Sequence, residues 1–278
     1  MRQLLRIILL FLLLTGCATI TQAQYDAAQF SQHFMAMNYY NPAYAGTSDG
    51  LNVLTMYRRQ WIGVEGTSKS FFVAADMPMK LRENKIGIGA VLLTESIGLF
   101  QNSHIAGQVS YRRSLLGGIL SVGIQIGRVN NSFGGAGVYI PSSGVYYAQK
   151  HFYLGIGAML LTSSYNLTGG YNIQLKSPLF ELQPSVFLKT DMKSFQADIT
   201  GRVVYNKKFN GGLAWRVDES VIALLGATFG DFQIGYAYDS PTVSLLKESR
   251  GSHELLVRYK LKLHKSRSVG KHKSVRIL

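Results

Sequence analysis

The chain has 278 residues and one cysteine, carries a formal net charge of +14, and is rich in glycine and tyrosine but poor in charged residues (16%) for a soluble domain. A single thiol excludes an internal disulfide. No zinc-finger, helix-turn-helix or base-stacking motif accompanies the positive charge. The expected binding partner is therefore anionic lipid or an acidic protein, and not nucleic acid.

The first 23 residues predict an export signal. Two arginines precede the apolar run Ile7–Leu14, and small residues follow it, which is the order found in secretory signals. The run is too short to remain as a membrane-spanning helix. Two processing sites are open: Thr21–Ala23 suits cleavage before Gln24, whereas Leu14–Cys17 has the spacing of a bacterial lipobox, in which Cys17 becomes a lipidated first residue.

Residues 24–50 separate the signal from the first strand. They contain the sequences Phe30–Gln32 and Asn41–Gly46. Asn-Pro and a closing glycine are turn formers, so the second sequence predicts a tight bend that leads into the first strand. We expect residues 24–50 to form a periplasmic segment.

Residues 51–263 form an all-β region in which apolar and polar side chains alternate. The alternation is clearest in Tyr165–Lys176, and in Gly251–Leu263 only Leu256 breaks it. Because successive side chains of a strand point to opposite faces, one face meets an apolar medium and the other meets water. In other strands, such as Phe152–Leu160, glycines or apolar residues on both faces blur the pattern.

Aromatic residues and glycines favour a membrane barrel over a soluble β-sandwich. Aromatic residues recur at segment ends, where they suit girdles at the two membrane interfaces, and glycines on the polar face make room in a lumen. A sandwich core does not usually combine these features. We predict a closed, antiparallel transmembrane β-barrel of about 14 strands, in the cell outer membrane.

The basic residues are concentrated at one end of the predicted barrel. If the amino terminus is periplasmic, the periplasmic turns are mostly basic and include Lys207 and Lys208, while the opposite loops mix both signs. The tail 264–278 adds five cations and no acid on the same side: Lys265, Arg267, Lys271, Lys273 and Arg276. This basic periplasmic tail is either a solvated charge run or an anchor for an acidic partner or phosphate head groups.

The inward faces of the predicted strands carry both signs of charge. This predicts an interior crowded with ion pairs and not a wide open pore. The inward cations are Lys176, Lys189, Arg202, Arg216, Arg258, Lys260 and Lys262, and the inward acids are Glu181, Asp198, Asp239 and Glu254.

Five short motifs occur along the chain, and together they carry a family resemblance. They are Phe30–Gln32, Asn41–Gly46, Tyr57–Trp61, Gly235–Asp239 and Gly251–Glu254. In their order and approximate spacing, the chain resembles the PorP/SprF family of Bacteroidota outer-membrane proteins over nearly the whole mature sequence. The resemblance begins just after Gln24, which favours cleavage after Ala23.

The resemblance implies a β-barrel component of the type IX secretion and gliding machinery. Its implied partners are periplasmic components of that machinery and a secreted, adhesin-like surface protein. Members of the family are not known as enzymes, so the resemblance assigns no catalytic residue. The possible lipobox at Cys17 and the basic tail depart from the family pattern.

Two other function classes stay open at this point. A passive outer-membrane diffusion channel would show a large, steady conductance. A lipid-modifying barrel enzyme would need a serine, a histidine and a polar orienting group together on the lipid-facing wall, whereas Ser103 and His104 lie on opposite faces of their strand. The six histidines have no metal-ligand spacing, so neither a metal nor a cofactor is expected.

Overall fold

The computed structural model describes residues 28–81, 84–131, 138–159, 164–243 and 249–262. Its strands form one antiparallel sheet that closes on itself, because the first strand pairs with both the second and the last. A short helix α1 (Met37–Tyr40) and a 3-10 helix (Pro42–Tyr44) precede the strands. No helix in the described ranges is both long and apolar enough to cross a membrane.

The strands are β1 (Leu51–Arg59), β2 (Ser68–Leu81), β3 (Asn84–Ile97), β4 (Phe100–Leu115), β5 (Gly118–Asn131), β6 (Val138–Ala148), β7 (Phe152–Met159), β8 (Ser164–Tyr171), β9 (Ile173–Gln174), β10 (Phe180–Thr190), β11 (Phe195–Tyr205), β12 (Phe209–Arg216), β13 (Ser220–Phe229), β14 (Phe232–Pro241) and β15 (Ser252–Leu261). Each strand pairs with its neighbours in the chain, so the barrel is an up-and-down meander.

The short strand β9 continues β8. Both pair with β10, with Gly170 of β8 opposite Ser185 and Ile173 of β9 opposite Leu182. Counted as one interrupted strand, they give a closed barrel of 14 strands, which confirms the predicted fold. An even number of strands brings both ends of the wall to the same rim.

The two rims of the barrel differ in the length of their connections. We call the rim that contains Leu51 and Leu261, which lie opposite each other, the terminal rim. Its turns include 116–117, 149–151 and 206–208, whereas the connections of the opposite rim include 60–67 and 242–251. Outer-membrane barrels have short turns on the periplasmic side and longer loops outside.

Alternation along each strand separates an outward set of side chains from an inward set. On β15, Leu255 and Val257 are 49% and 39% exposed on the outer wall, whereas Glu254 and Arg258 are buried inside. Transfer of an aliphatic side chain out of water is favourable by about 1.5–3 kcal/mol. A wall whose outward residues are largely apolar therefore requires the lipid surroundings of a membrane.

Residues 28–48, which we call the plug, lie inside the barrel. The side chains of Phe30 and Tyr40 are at most 3% exposed. They share one hydrophobic core with inward-facing wall residues that include Phe72 and Phe187. The rings of Tyr40 and Phe187 are 4.6 Å apart, and those of Phe30 and Phe72 are 5.4 Å apart. The plug is therefore packed against the wall like the core of a soluble domain.

This position differs from the expected one, in which residues 24–50 form a periplasmic segment. The reason is that the inward face of the wall is not uniformly polar. Leu256, which broke the alternation of the last strand, is fully buried in the core that the plug completes. Apolar residues on both faces of a strand thus indicated a filled interior, and the aromatic side chains of the plug cover them.

Wall glycines allow the plug backbone to approach the sheet closely. A Cβ atom on Gly157 would come closer than 3 Å to the carbonyl oxygen of Tyr40, and one on Gly123 would come equally close to the backbone nitrogen of Ala43. Gly87 meets the plug backbone in the same way. Real Cβ atoms essentially never make such contacts, so these positions require glycine for close approach.

We predict that Gly123→Val and Gly157→Val each displace the plug and destabilise the folded barrel. Overpacking a dense interior costs about 1–3 kcal/mol, and the obstructing atoms here are backbone. The measurement is the temperature at which the folded, faster-migrating gel band is lost. Gly107→Val and Gly201→Val are matched controls, because a Cβ atom there meets nothing within 4 Å. Equal loss of stability in both pairs would contradict the proposed packing.

Candidate functional site

Two arginines and three carboxylates form a buried charge cluster towards the opposite rim. Arg58 Nη2 lies 2.7 Å from Asp239 Oδ2, and its Nη1 lies 3.4 Å from Glu254 Oε2. Arg216 donates to both carboxylate oxygens of Asp198, at 3.0 and 2.9 Å, and lies 3.6 Å from Asp239. The interior ion pairs of Arg216 agree with the prediction of a charged interior, whereas Arg58 was not among the predicted inward cations. Each pair is shielded from water, and this shielding strengthens the attraction between the charges.

The plug is joined directly to this charge cluster. The Ser31 hydroxyl lies 2.7 Å from both carboxylate oxygens of Asp239 and accepts a 2.6 Å hydrogen bond from Arg58. The backbone N–H groups of Ser31 and Gln32 donate to the Glu254 carboxylate, at 2.8 and 2.9 Å. Hydrogen bonds to an ionised carboxylate are shorter and stronger than neutral ones. Glu254 therefore anchors the amino-terminal end of the plug.

His33 lies beside the charge cluster without adding charge to it. Its Nδ1 is 3.9 Å from Asp198 Oδ2, and its ring is stacked on Phe187, with 4.9 Å between ring centroids. Burial lowers the pKa of His33 to about 4; Asp198 opposes this effect, while Arg216 and Arg202 add to it. The imidazole is therefore neutral at pH 7, and its role is to pack.

The Asn41–Gly46 motif fixes the other half of the plug. Asn41 Nδ2 donates to the backbone carbonyls of Val145 and Ile156, at 3.0 and 3.2 Å. Its Oδ1 accepts from the N–H of Ala43 at 3.0 Å, which caps the 3-10 helix. The turn predicted from this motif is present, and the same asparagine also bonds the turn to the wall.

A cavity of about 970 Å³ lies at the terminal rim. Its lining includes the turn 116–117 and, from the turn 206–208, Lys207 and Lys208. Six cationic side chains and one carboxylate are among the lining residues: Lys150, Arg202, Lys207, Lys208, Arg258, Lys260 and Glu181. The cavity is therefore strongly basic, and cationic side chains from separate strands converge on it.

The structure locates two of the residues predicted to contact a partner. Lys207 and Lys208 are exposed in the turn between β11 and β12 and line the basic cavity. The five tail residues predicted to contact a partner, and the possible lipidation site, lie outside the described residues: Lys265, Arg267, Lys271, Lys273, Arg276 and Cys17. Two of the cations predicted to point inward, Lys176 and Lys262, are exposed at the terminal rim.

A family model for "Type IX secretion system membrane protein PorP/SprF" matches residues 21–164 and 158–259. The chain belongs to the PorP/SprF family. Together with the barrel fold, membership supports an outer-membrane location and a role as a type IX secretion component. No curated protein matches the chain.

One solved structure supports the fold of this PorP/SprF-family barrel. The outer membrane protein Omp33 of Acinetobacter baumannii is similar over 78% of this chain and 100% of its own, with a TM-score of 0.52 and 6% identity. The KdgM porin matches 76% of this chain and 99% of its own, with a TM-score of 0.39 and 9% identity. At such low identity, the likeness to Omp33 shows the fold alone.

All five family motifs that the sequence displayed meet at the plug. Two of them are plug segments, and the other three supply Arg58, Asp239 and Glu254 to the charge cluster. Arg58 was not predicted as a site residue, because its motif Tyr57–Trp61 indicated only the family resemblance. The sequence features that could have indicated the plug were the glycines and apolar residues on the inward faces of the strands.

In the described ranges, no group of three histidine, cysteine or acidic side chains is arranged to hold a metal ion.

We predict that Glu254→Gln releases the plug and raises the ion conductance of the PorP/SprF-family barrel in planar bilayers. Removing one partner of a buried ion pair costs about 3–5 kcal/mol when the other charge is left without compensation. Arg58, at 1% side-chain exposure, keeps Asp239 at 2.7 Å as a second counter-charge, so the loss falls below that range. The two plug N–H groups would also bond to a neutral amide instead of a carboxylate, which weakens the anchor further. Asp231→Asn, in an exposed turn of the terminal rim, removes the same charge and is the control. Wild-type conductance in Glu254→Gln would contradict this role.

Proposed function

We propose that the protein is a non-enzymatic docking component of type IX secretion. In this proposal, the terminal rim faces the periplasm and binds periplasmic components of the machinery, and the barrel presents a secreted, adhesin-like surface protein. The short turns of the terminal rim support this orientation. Participation in gliding belongs to the same proposal.

The observation that carries the proposal is the division of the interior into a filled part and a basic part. The plug occupies the lumen with a packed core and an ion-pair cluster. A filled lumen obstructs the path of solutes, which argues against a passive diffusion channel. The cations, in contrast, collect where the barrel opens at the terminal rim. A filled barrel with one basic end suits binding of a partner better than diffusion of solutes.

The polar interior also supports a non-enzymatic role. The buried serine and carboxylates of the charge cluster bond to one another and to the plug backbone. Their hydrogen bonds hold the plug in place, and the barrel wall separates them from lipid. A lipid-modifying enzyme would instead need its reactive groups on the lipid-facing surface.

We predict that replacing the five tail cations by glutamine weakens co-purification with periplasmic type IX components several-fold. The changed residues are Lys265, Arg267, Lys271, Lys273 and Arg276. Rim charges steer association and set its salt dependence, so the loss is largest at low ionic strength. The measurement is quantitative mass spectrometry of complexes isolated from native membranes.

The control for this experiment is Lys69→Gln with Lys193→Gln, which removes exposed cations at the opposite rim. Both proteins must show the heat-dependent gel shift of an intact barrel. Unchanged co-purification of the tail variant would remove the tail from the proposal. A large, steady conductance of the purified wild-type protein would favour the diffusion channel instead.

A further inference from the structure

The basic cavity at the terminal rim is lined by residues from several strands and turns of the barrel. Its lining comes from the ends of β4 and β5, from the turn after β6 and from β10, β11, β12, β14 and β15. At about 970 Å³, it lies at the upper end of the range of about 300–1,000 Å³ that is typical of ligand pockets. It has room for a short extended piece of polypeptide.

The charge of the lining is unbalanced. Six of the lining side chains are cationic, and Glu181 is the one carboxylate among them. Glu181 accepts a 2.7 Å hydrogen bond from the neutral amide of Gln183. A concave surface of one sign of charge attracts ligands of the opposite sign, and its low-dielectric walls strengthen the field. The lining therefore selects for an anionic ligand.

Arg202 connects this cavity with the plug. Its guanidinium lies over the ring of Phe34, 4.0 Å from the centroid, and donates to the side-chain oxygen of Gln183. Only 4% of the residue is exposed. Among the described residues it forms no ion pair, whereas Arg58 and Arg216 each bond to carboxylates.

The buried arginines of the charge cluster and of the cavity differ in their surroundings, and the difference indicates the charge of a ligand. A buried charge is costly unless it is paired with an opposite charge and hydrogen-bonded. In the charge cluster, the wall itself supplies carboxylates for Arg58 and Arg216. Beside the cavity, Arg202 has a neutral amide and an aromatic ring. Glu181 acts on Arg202 through its charge without forming an ion pair with it among the described residues. A carboxylate entering the cavity would pair with Arg202 directly.

The position of the cavity favours a polypeptide over a lipid head group. The cationic residues of its lining include inward-facing Arg202 and Arg258, which are enclosed by the barrel wall. Lipid head groups lie outside that wall, against the outward side chains. A chain segment, in contrast, can enter from the water at the open rim. A single inorganic phosphate would fill only a small part of about 970 Å³.

We propose that this cavity binds a carboxylate-rich, extended segment of a periplasmic protein partner. The segment enters between Lys207, Lys208 and Lys150 and reaches towards Arg202. The inference rests on the proposed docking function and assigns to it a site and a ligand chemistry. Because Arg202 also contacts Phe34 of the plug, the bound segment lies one side chain away from the plug.

The test measures binding of a fluorescent ten-residue peptide that contains six glutamates to the detergent-solubilised full chain, by anisotropy. We expect saturable binding that weakens as salt is added. The variant Lys207→Gln with Lys208→Gln should bind the peptide about tenfold more weakly, which corresponds to about 1.4 kcal/mol. Lys69→Gln with Lys193→Gln is the control of equal charge at the opposite rim and should bind like the wild type. A peptide with glutamine in place of glutamate should not bind.

Several results would overturn the inference. Equal weakening in the two double variants would show attraction by net charge without a site in the cavity. Competition by inorganic phosphate or by anionic lipid micelles at the same concentration of negative charge would show that the ligand is not a polypeptide. Normal peptide affinity in Lys207→Gln with Lys208→Gln would remove the cavity as the site.

Failure of this inference is distinguishable from failure of the docking function. If the lysine variant binds the peptide normally, yet the tail variant loses its periplasmic partners, docking stands and the cavity is not its site. If the peptide binds in the cavity, yet neither variant loses partners in native membranes, the site exists and the docking function fails.

Discussion

The interior of this barrel depends on one buried carboxylate, that of Glu254. It accepts the backbone N–H groups of two successive plug residues and is balanced by Arg58, which also bonds to Ser31 and Asp239. A carboxylate can be buried in this way only because cation and donors are both supplied. The anchor is therefore cooperative: it exists only when strands from both ends of the wall and the plug come together.

The anchor explains how the fold leads to the function. The wall must be apolar outside to reside in lipid, and a barrel of 14 strands encloses a space that must be filled or left as a channel. This chain fills it with its own residues 28–48. A cavity remains at the terminal rim, and its lining carries six cationic side chains and one carboxylate. The proposed recognition of an acidic partner follows from that arrangement.

The sequence predicted the barrel well because period-2 alternation is local. Each strand shows it within about ten residues, as Leu255 and Val257 do against Glu254 and Arg258. The plug was not predicted, because its contacts are non-local: Ser31 and Glu254 are 223 positions apart. Asn-Pro also has a sufficient local explanation as a turn. Likewise, Lys207 and Lys208 were identified as basic, but only the closed wall brings them to one cavity with Arg202.

The most direct test of this account is backbone hydrogen exchange of the plug in the folded, detergent-solubilised protein. The N–H groups of Ser31, Gln32, Ala43 and Gly46 each donate to a buried side chain. The account predicts that they exchange as slowly as the barrel strands, and that exposure occurs only when the barrel itself opens. Exchange at the rate of an unstructured peptide, with the strands still protected, would contradict it.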